Sequence, residues 1–301
     1  MQRRSFLRNT SLATGVLTLS SKNLFANFRS DDPWKMKMLR NNVGIFIEKG
    51  GTIAYLSDTD GSVVVDAQFP EQATHLITEI KKYSDTPFKL LINTHHHVDH
   101  TAGNISFNNT VKNVAAHQNS KASQMRVAKE KNNEDKQLYP DITYGDTWHY
   151  KIGHERIRTY YWGAGHTNGD SIVHFEHANI AHMGDLVFYH FYPFIDKTAG
   201  ASATNWISIL DKTLSTFDND TIFIFGHGDN DNVTGTKEDV KGMQNYLQKL
   251  FDYTQQQITA GKSKEDILKT TEIPGVGPWK DQYKIIQANL TVAYDELSAG
   301  K

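Results

Sequence analysis

Residues 95–100 read His-His-His-Val-Asp-His. In the register that spaces the donors best, His95, His97, Asp99 and His100 form a His-x-His-x-Asp-His set directly after the apolar run Leu90-Leu91-Ile92. A turn after a strand can aim such neighbours at one point. Imidazole nitrogens and carboxylate oxygens are the borderline donors that suit Zn2+. Four donors in six residues crowd a single ion, and alternate residues can divide between two adjacent ones. His96 falls out of that register and is expected to point away from its neighbours.

Three further donors each follow an expected strand. They are His166 in Gly163-Ala164-Gly165-His166-Thr167, Asp185 in His182-Met183-Gly184-Asp185, and His227 in Phe225-Gly226-His227-Gly228. A glycine beside each lets the backbone turn sharply and approach an ion. Any one of them alone reads more often as a loop residue satisfied by backbone. Seven donors at the ends of four strands are hard to obtain from loop composition. His117 is expected to pack, and His75, His149, His154, His174 and His177 show no ligand spacing.

The elements that must position these donors alternate along the chain. Segments 43–48, 52–57, 62–65, 90–92 and 114–116 read as strands, with helices over 71–82 and 118–132. Segments 156–162, 171–175, 180–183 and 222–225 form a second strand set, with helices over 205–217, 237–259 and 282–297. Two strand sets with interspersed helices predict an α/β layered body with helices outside and sheets inside.

Composition removes other classes. The 301 residues carry 32 Lys+Arg against 34 Asp+Glu and no cysteine. That excludes a disulfide framework, a thiolate metal site and a cysteine nucleophile. The near-neutral balance opposes a nucleic-acid binder. The first 26 residues hold Arg3-Arg4, a short apolar stretch from Leu12 to Leu19 and Ala26, and resemble a twin-arginine export signal. The expectation is a periplasmic or secreted protein, with no lipid anchor because no cysteine stands at the cleavage region. Residues 27–301 then form one domain, with C-terminal helices from about 237. They hold 28 basic and 34 acidic residues, which weakens a nucleic-acid partner further.

The ordered set THHHVDH, GAGHT, HMGD and FGHG resembles the metallo-β-lactamase superfamily over roughly residues 43–227. The resemblance implies a four-layer αβ/βα sandwich with two Zn2+ ions at one edge, iron or manganese being the alternatives. It assigns His95, His97 and His166 to one ion, Asp99, His100 and His227 to the other, and Asp185 as the bridge. Asp66 matches a position that supports the ligand loops. The implied chemistry is hydrolysis of a small carbonyl substrate by water activated between the ions, with Asp99 orienting it or carrying its proton.

Departures from particular subfamilies bear on the substrate. Many β-lactamases of this superfamily place Cys or Ser where Asp185 stands, and several use Lys where Phe188 stands. Asp185 resembles the bridging carboxylate of glyoxalase II, a thioesterase, and of lactonases. The aromatic stretch 186–196, with Phe188, His190 and Phe191, reads either as a substrate wall or as a packing loop. An iron-dependent sulfur dioxygenase would share the ligand set. Neither the oligomeric state nor β-lactam hydrolysis follows from these residues.

Overall fold

A computed structural model describes residues 32–277, 279–281 and 284–299. The export-signal reading of residues 1–26 lies outside the described residues. In chain order the first half contains β1 (Lys35–Arg40), β2 (Val43–Ile47), β3 (Ile53–Asp58), β4 (Gly61–Val65), α1 (Pro70–Tyr83) and β5 (Phe88–Asn93). It continues with α2 (Val98–Thr101), β6 (Val111–His117), α3 (Gln118–Glu130) and β7 (Ile142–Tyr144). The second half contains β8 (Thr147–Ile152), β9 (Glu155–Tyr160), β10 (Ile172–Phe175), β11 (Ile180–His182), β12 (Phe188–Tyr189) and α4 (Ala203–Thr216). After them come β13 (Ile222–Ile224), β14 (His227–Gly228), β15 (Thr234–Gly235), α5 (Lys237–Thr259), α6 (Lys264–Ile267) and α7 (Ile286–Ala299).

Strands β1 to β7 form one sheet in chain order, antiparallel through β4 and parallel from β4 to β7. The second sheet runs β15-β13-β11-β10-β9-β8. Alternation along the strands assigns each side chain to a layer. Val63, Val65, Leu90 and Ile92 meet Ile157, Val173, Phe175 and Ile224 between the sheets. Their neighbours Val64 and Leu91 point the other way, onto Ala73, Leu76 and Ile80 of α1. On the far side of the second sheet, Ala181, Phe223 and Phe225 pack on Trp206 and Leu210 of α4 and on Met243 and Leu247 of α5. The result is a layered body with helices outside and sheets inside, the αβ/βα sandwich that the resemblance implies.

The long helix α5 follows its sequence closely. Thr236 and Asp239 close a capping box at its start, and Val240, Met243, Leu247, Leu250 and Thr254 fall on its buried face. Strands β1, β7 and β8 went unread in the sequence because all three are edge strands. Lys-Met-Lys-Met in β1 and Trp-His-Tyr-Lys in β8 lack the apolar run of a buried strand. No helix among the described residues is long and apolar enough to cross a membrane.

Candidate metal centre

Strand direction explains why distant donors meet. β9 and β11 are both antiparallel to β10, and β13 is parallel to β11. The chain therefore leaves β9, β11 and β13 at the same end of the second sheet. His166, Asp185 and His227 all lie in these exits. In the first sheet the parallel pair β4 and β5 delivers Asp66, then His95 and His97, from one end. His97 caps α2, which carries Asp99 and His100. One backbone bond ties the two edges together, Thr52 N–H donating to Gly226 O at 2.8 Å, while Gly51 N–H donates to Asp99 O at 3.0 Å within the first edge.

The seven donors gather in two groups. Ligand atoms of His95, His97, His166 and Asp185 lie within 4.8 Å of one another, as do those of Asp99, His100 and His227. Asp185 stands between them. Its Oδ2 is 3.8 Å from His95 Nε2, 3.4 Å from His166 Nε2 and 3.4 Å from His227 Nε2. Its Oδ1 is 3.0 Å from His100 Nε2. Close glycine backbone makes this placement possible. Gly184 has φ of 51°, open to glycine at little cost, and a Cβ on Gly226 would strike the Asp185 carboxylate.

Three of the imidazoles are oriented from behind. Asp66, itself at φ 64°, takes Thr94 N–H at 2.8 Å and the Thr94 hydroxyl at 2.7 Å, and stands 2.8 Å from His100 Nδ1. His97 Nε2 lies 2.9 Å from Asp196 Oδ2, which leaves its Nδ1 facing His166 Nε2 at 2.9 Å. The carbonyl of Phe194 lies 2.6 Å from His166 Nδ1. Asp170 takes N–H bonds from Gly165 and Thr167 and the Thr167 hydroxyl, fixing the turn that carries His166. Carboxylates or carbonyls behind metal-ligating histidines set the ring orientation and tautomer. Asp196, Asp170 and Thr94 were not singled out in the sequence, where an isolated Asp or Thr in a loop carries no signal.

Burial shapes the charges. It pushes the His95 pKa well below its ordinary value and that of His166 down to about 4. Burial also opposes a charge on His227, yet Asp185 and Asp99 carry its pKa up to about 9. His100 is likewise raised, against its burial, by Asp185, Asp99 and Asp66. Asp99 falls to about 2, because His100 and His227 outweigh its desolvation. Buried His95 Nε2 finds no hydrogen-bond partner although it faces Asp185. A buried polar atom left this way is costly unless something else satisfies it. Five imidazoles and two carboxylates converging around that orphan nitrogen fit a pair of divalent cations.

A cavity of about 430 Å³ opens beside Asp99 and His227, walled by Ile47, Glu48, Thr52, Phe191, Asp229 and Val233 among others. Phe191 is one of the residues that line it. Phe188 is buried against the centre, stacked on His227 with centroids 5.4 Å apart and edge-on to His166 at 5.6 Å. His190, at φ 62°, stacks its exposed ring on Tyr189 and is not among the residues that line this cavity. His96 is buried, and burial pushes its pKa down to about 3. His117 caps α3 and stacks on Tyr161 at 3.8 Å, a packing role.

Two facing sheets with helices outside carry a His/Asp cluster at the strand ends that could hold metal ions, the arrangement of a metal-dependent enzyme. The family model described as "Metallo-beta-lactamase superfamily" matches residues 48–227, and the chain belongs to that superfamily. It is 24% identical over 218 residues to "Metallo-beta-lactamase type 2" of Bacillus cereus, covering 72% of this chain and 78% of that one. Among solved structures it resembles a metallo-beta-lactamase from Pontibacter korlensis, with TM-score 0.61 and 20% identity over 71% of this chain and 99% of that one. A double mutant of the sec-alkyl sulfatase PisA1 superposes with TM-score 0.68 and 11% identity, over 87% of this chain but half of the other. The DIM-1 metallo-beta-lactamase gives TM-score 0.59 at 19% identity, covering 72% of this chain and 97% of that one. These structural likenesses establish the fold.

Proposed function

We propose that this chain is a dinuclear zinc-dependent hydrolase acting on a carbonyl substrate: a β-lactam, lactone, ester or thioester. The observation that carries the proposal is the position of Asp185, whose two oxygens face both donor groups at 3.0–3.8 Å. His95, His97 and His166 would hold one ion and Asp99, His100 and His227 the other, with Asp185 between. Two ions so held would polarise the substrate carbonyl and lower the pKa of the attacking water.

The chain's own residues do the rest. Asp99 has a 28% exposed side chain and lines the cavity, with Oδ2 3.2 Å from His227 Nε2. Its carboxylate stays ionised at neutral pH, so Oδ2 would accept a hydrogen bond from the attacking water and orient it. Phe188 closes the space between His166 and His227 against water. No serine need act as nucleophile.

The test is elemental analysis followed by a panel of chromogenic β-lactam, lactone, ester and thioester substrates. About two zinc ions per chain and turnover of one class support the reading. Asp185→Asn should then lower turnover by roughly a thousandfold or more while leaving circular dichroism unchanged. Protein free of metal after preparation without chelator would overturn it. Iron or manganese accept the same donors; an iron-loaded protein that consumes oxygen with a persulfide would replace it with the sulfur dioxygenase reading. We further propose export through residues 1–26, tested by replacing Arg3 and Arg4 with Lys and following the protein across cell fractions.

A further inference from the structure

Phe194 stands against two of the metal-site histidines and is left open to solvent. It is 44% exposed, and its ring centroid lies 5.9 Å from that of His97 and 6.2 Å from that of His166. A lone exposed apolar side chain is ordinary on a protein surface. Phe194 differs because its backbone is held on both sides. Pro193 O accepts an N–H bond from the buried Asn289 amide of α7 at 2.9 Å, Phe194 O faces His166 Nδ1 at 2.6 Å, and Asp196 N–H donates to His166 O at 3.1 Å. Residues 193–196 are thus fixed between α7 and the donors, with an aromatic ring held out beside them. Within this donor group the side chains of His95, His166 and Asp185 are 1%, 1% and 4% exposed, whereas that of His97 is 19% exposed. His97 is therefore the member that solvent reaches, and it has Phe194 against its ring and exposed Val98 as its chain neighbour. The cavity beside Asp99 and His227 adjoins the other donor group, and Phe194 is not among its lining residues.

We propose that Phe194 is a specificity-determining residue, whose ring receives a flat apolar substituent of the molecule bound at the metal centre. The proposal deepens the hydrolase reading above and rests on its metal centre. The physical reason is preorganisation. A ring on a fixed backbone has few torsions to lose, so covering its exposed surface gains apolar burial at small entropic cost. A phenyl substituent also gains the offset or edge-on ring contact that an aliphatic chain lacks. His97 and His166 take up part of the ring's contact surface, and the exposed remainder is left for a ligand. A methyl group in the same place falls short of the ring and gains nothing from it. Compounds that share one metal-binding head should therefore rank by the size and flatness of the group attached to it.

The test uses the metal-loaded protein with acetohydroxamic and phenylacetohydroxamic acids, which carry the same metal-binding head and differ by a phenyl ring. Calorimetric titration should find the phenyl compound tighter by about tenfold or more. An NMR Overhauser effect should connect its phenyl protons to the Phe194 ring. Phe194→Ala should cut the phenyl preference by about tenfold, and Phe194→Leu by less. The readout is a ratio between two compounds with one head, so a change at the ions themselves cancels. The p-nitrophenyl esters of acetic and phenylacetic acids repeat the comparison in turnover, where the lost preference should fall on KM rather than kcat. Equal affinity of the two hydroxamates, or a phenyl preference that survives Phe194→Ala, overturns the proposal even if both esters are cleaved. Should Phe194→Ala release an ion, the Overhauser effect in the unsubstituted protein decides, and its absence overturns the proposal. A phenyl preference that is lost with Phe194 while neither ester turns over upholds it and counts against the hydrolase reading alone.

Discussion

His97 Nε2 and Asp196 Oδ2 are 2.9 Å apart, although 99 residues separate them in the chain. The contact makes His97 present Nδ1 to the metal centre, the opposite nitrogen from His95, His100, His166 and His227, whose Nε2 atoms face Asp185. Asp196 is itself fixed, since its Oδ1 takes N–H bonds from Thr198 and Ala199 and the Thr198 hydroxyl. Its carboxyl pKa is held below the ordinary range, against some desolvation, by His97 and Thr198. Replacing Asp196 with Ala should weaken one of two bound ions by about 10–100-fold and leave the other in place. Competition with a chelator of known affinity measures this, and unchanged release of both ions would contradict it.

Gly51 carries a second prediction. A Cβ at this position would collide with the His100 imidazole. His100 is fully buried and bonded to Asp66, so it has little room to yield. Gly51→Ala should displace His100 and cost an ion of the Asp99–His100–His227 group. Thermal unfolding of the metal-free protein should move far less. A variant that retains both ions with unchanged affinity would refute the close approach.

Acid and base should destabilise the metal-free protein from opposite sides. The pKa of His227 is raised from 6.5 to about 9, so its contribution is full below 6.5 and is lost as pH rises through about 9. That of His166 is lowered to about 4, so stability falls as pH drops from 6.5 towards 4. The melting temperature of chelated protein should therefore peak near neutrality and decline towards pH 9. Metal uptake at pH 7 should release protons, because ligating imidazoles must be neutral. A pH-stat titration that detects no release would contradict this charge pattern.

Leu91 tests the separation of scaffold from centre. It is fully buried on the α1 side of β5, while Leu90 and Ile92 face the other sheet. Leu91→Ala should cost about 2–5 kcal/mol in denaturant unfolding. Metal stoichiometry should stay unchanged, because the residues that orient His95 lie in the turn beyond the strand. Loss of metal from protein that remains folded would show that the two are coupled.

The sequence by itself determined the donor types, their order along the chain and their attachment to strand ends. His95, His97, Asp99 and His100 were legible because they are crowded into one turn. His166, Asp185 and His227 were legible because each follows a strand and sits beside glycine. The two-sheet layering was legible from the alternation of short apolar strands with amphipathic helices. What only the tertiary structure decided was whatever depends on contacts between distant segments. Asp196 behind His97 and Asp170 behind the His166 turn are lone carboxylates with no local pattern. The exposed placement of His190 hangs on one left-handed backbone angle. The edge strands β1 and β8 owe their pairing to neighbouring strands rather than to their own mixed sequences. The wall of the cavity joins residues 48, 99, 229 and 231, which share no motif and meet only because the two sheets close over a common edge.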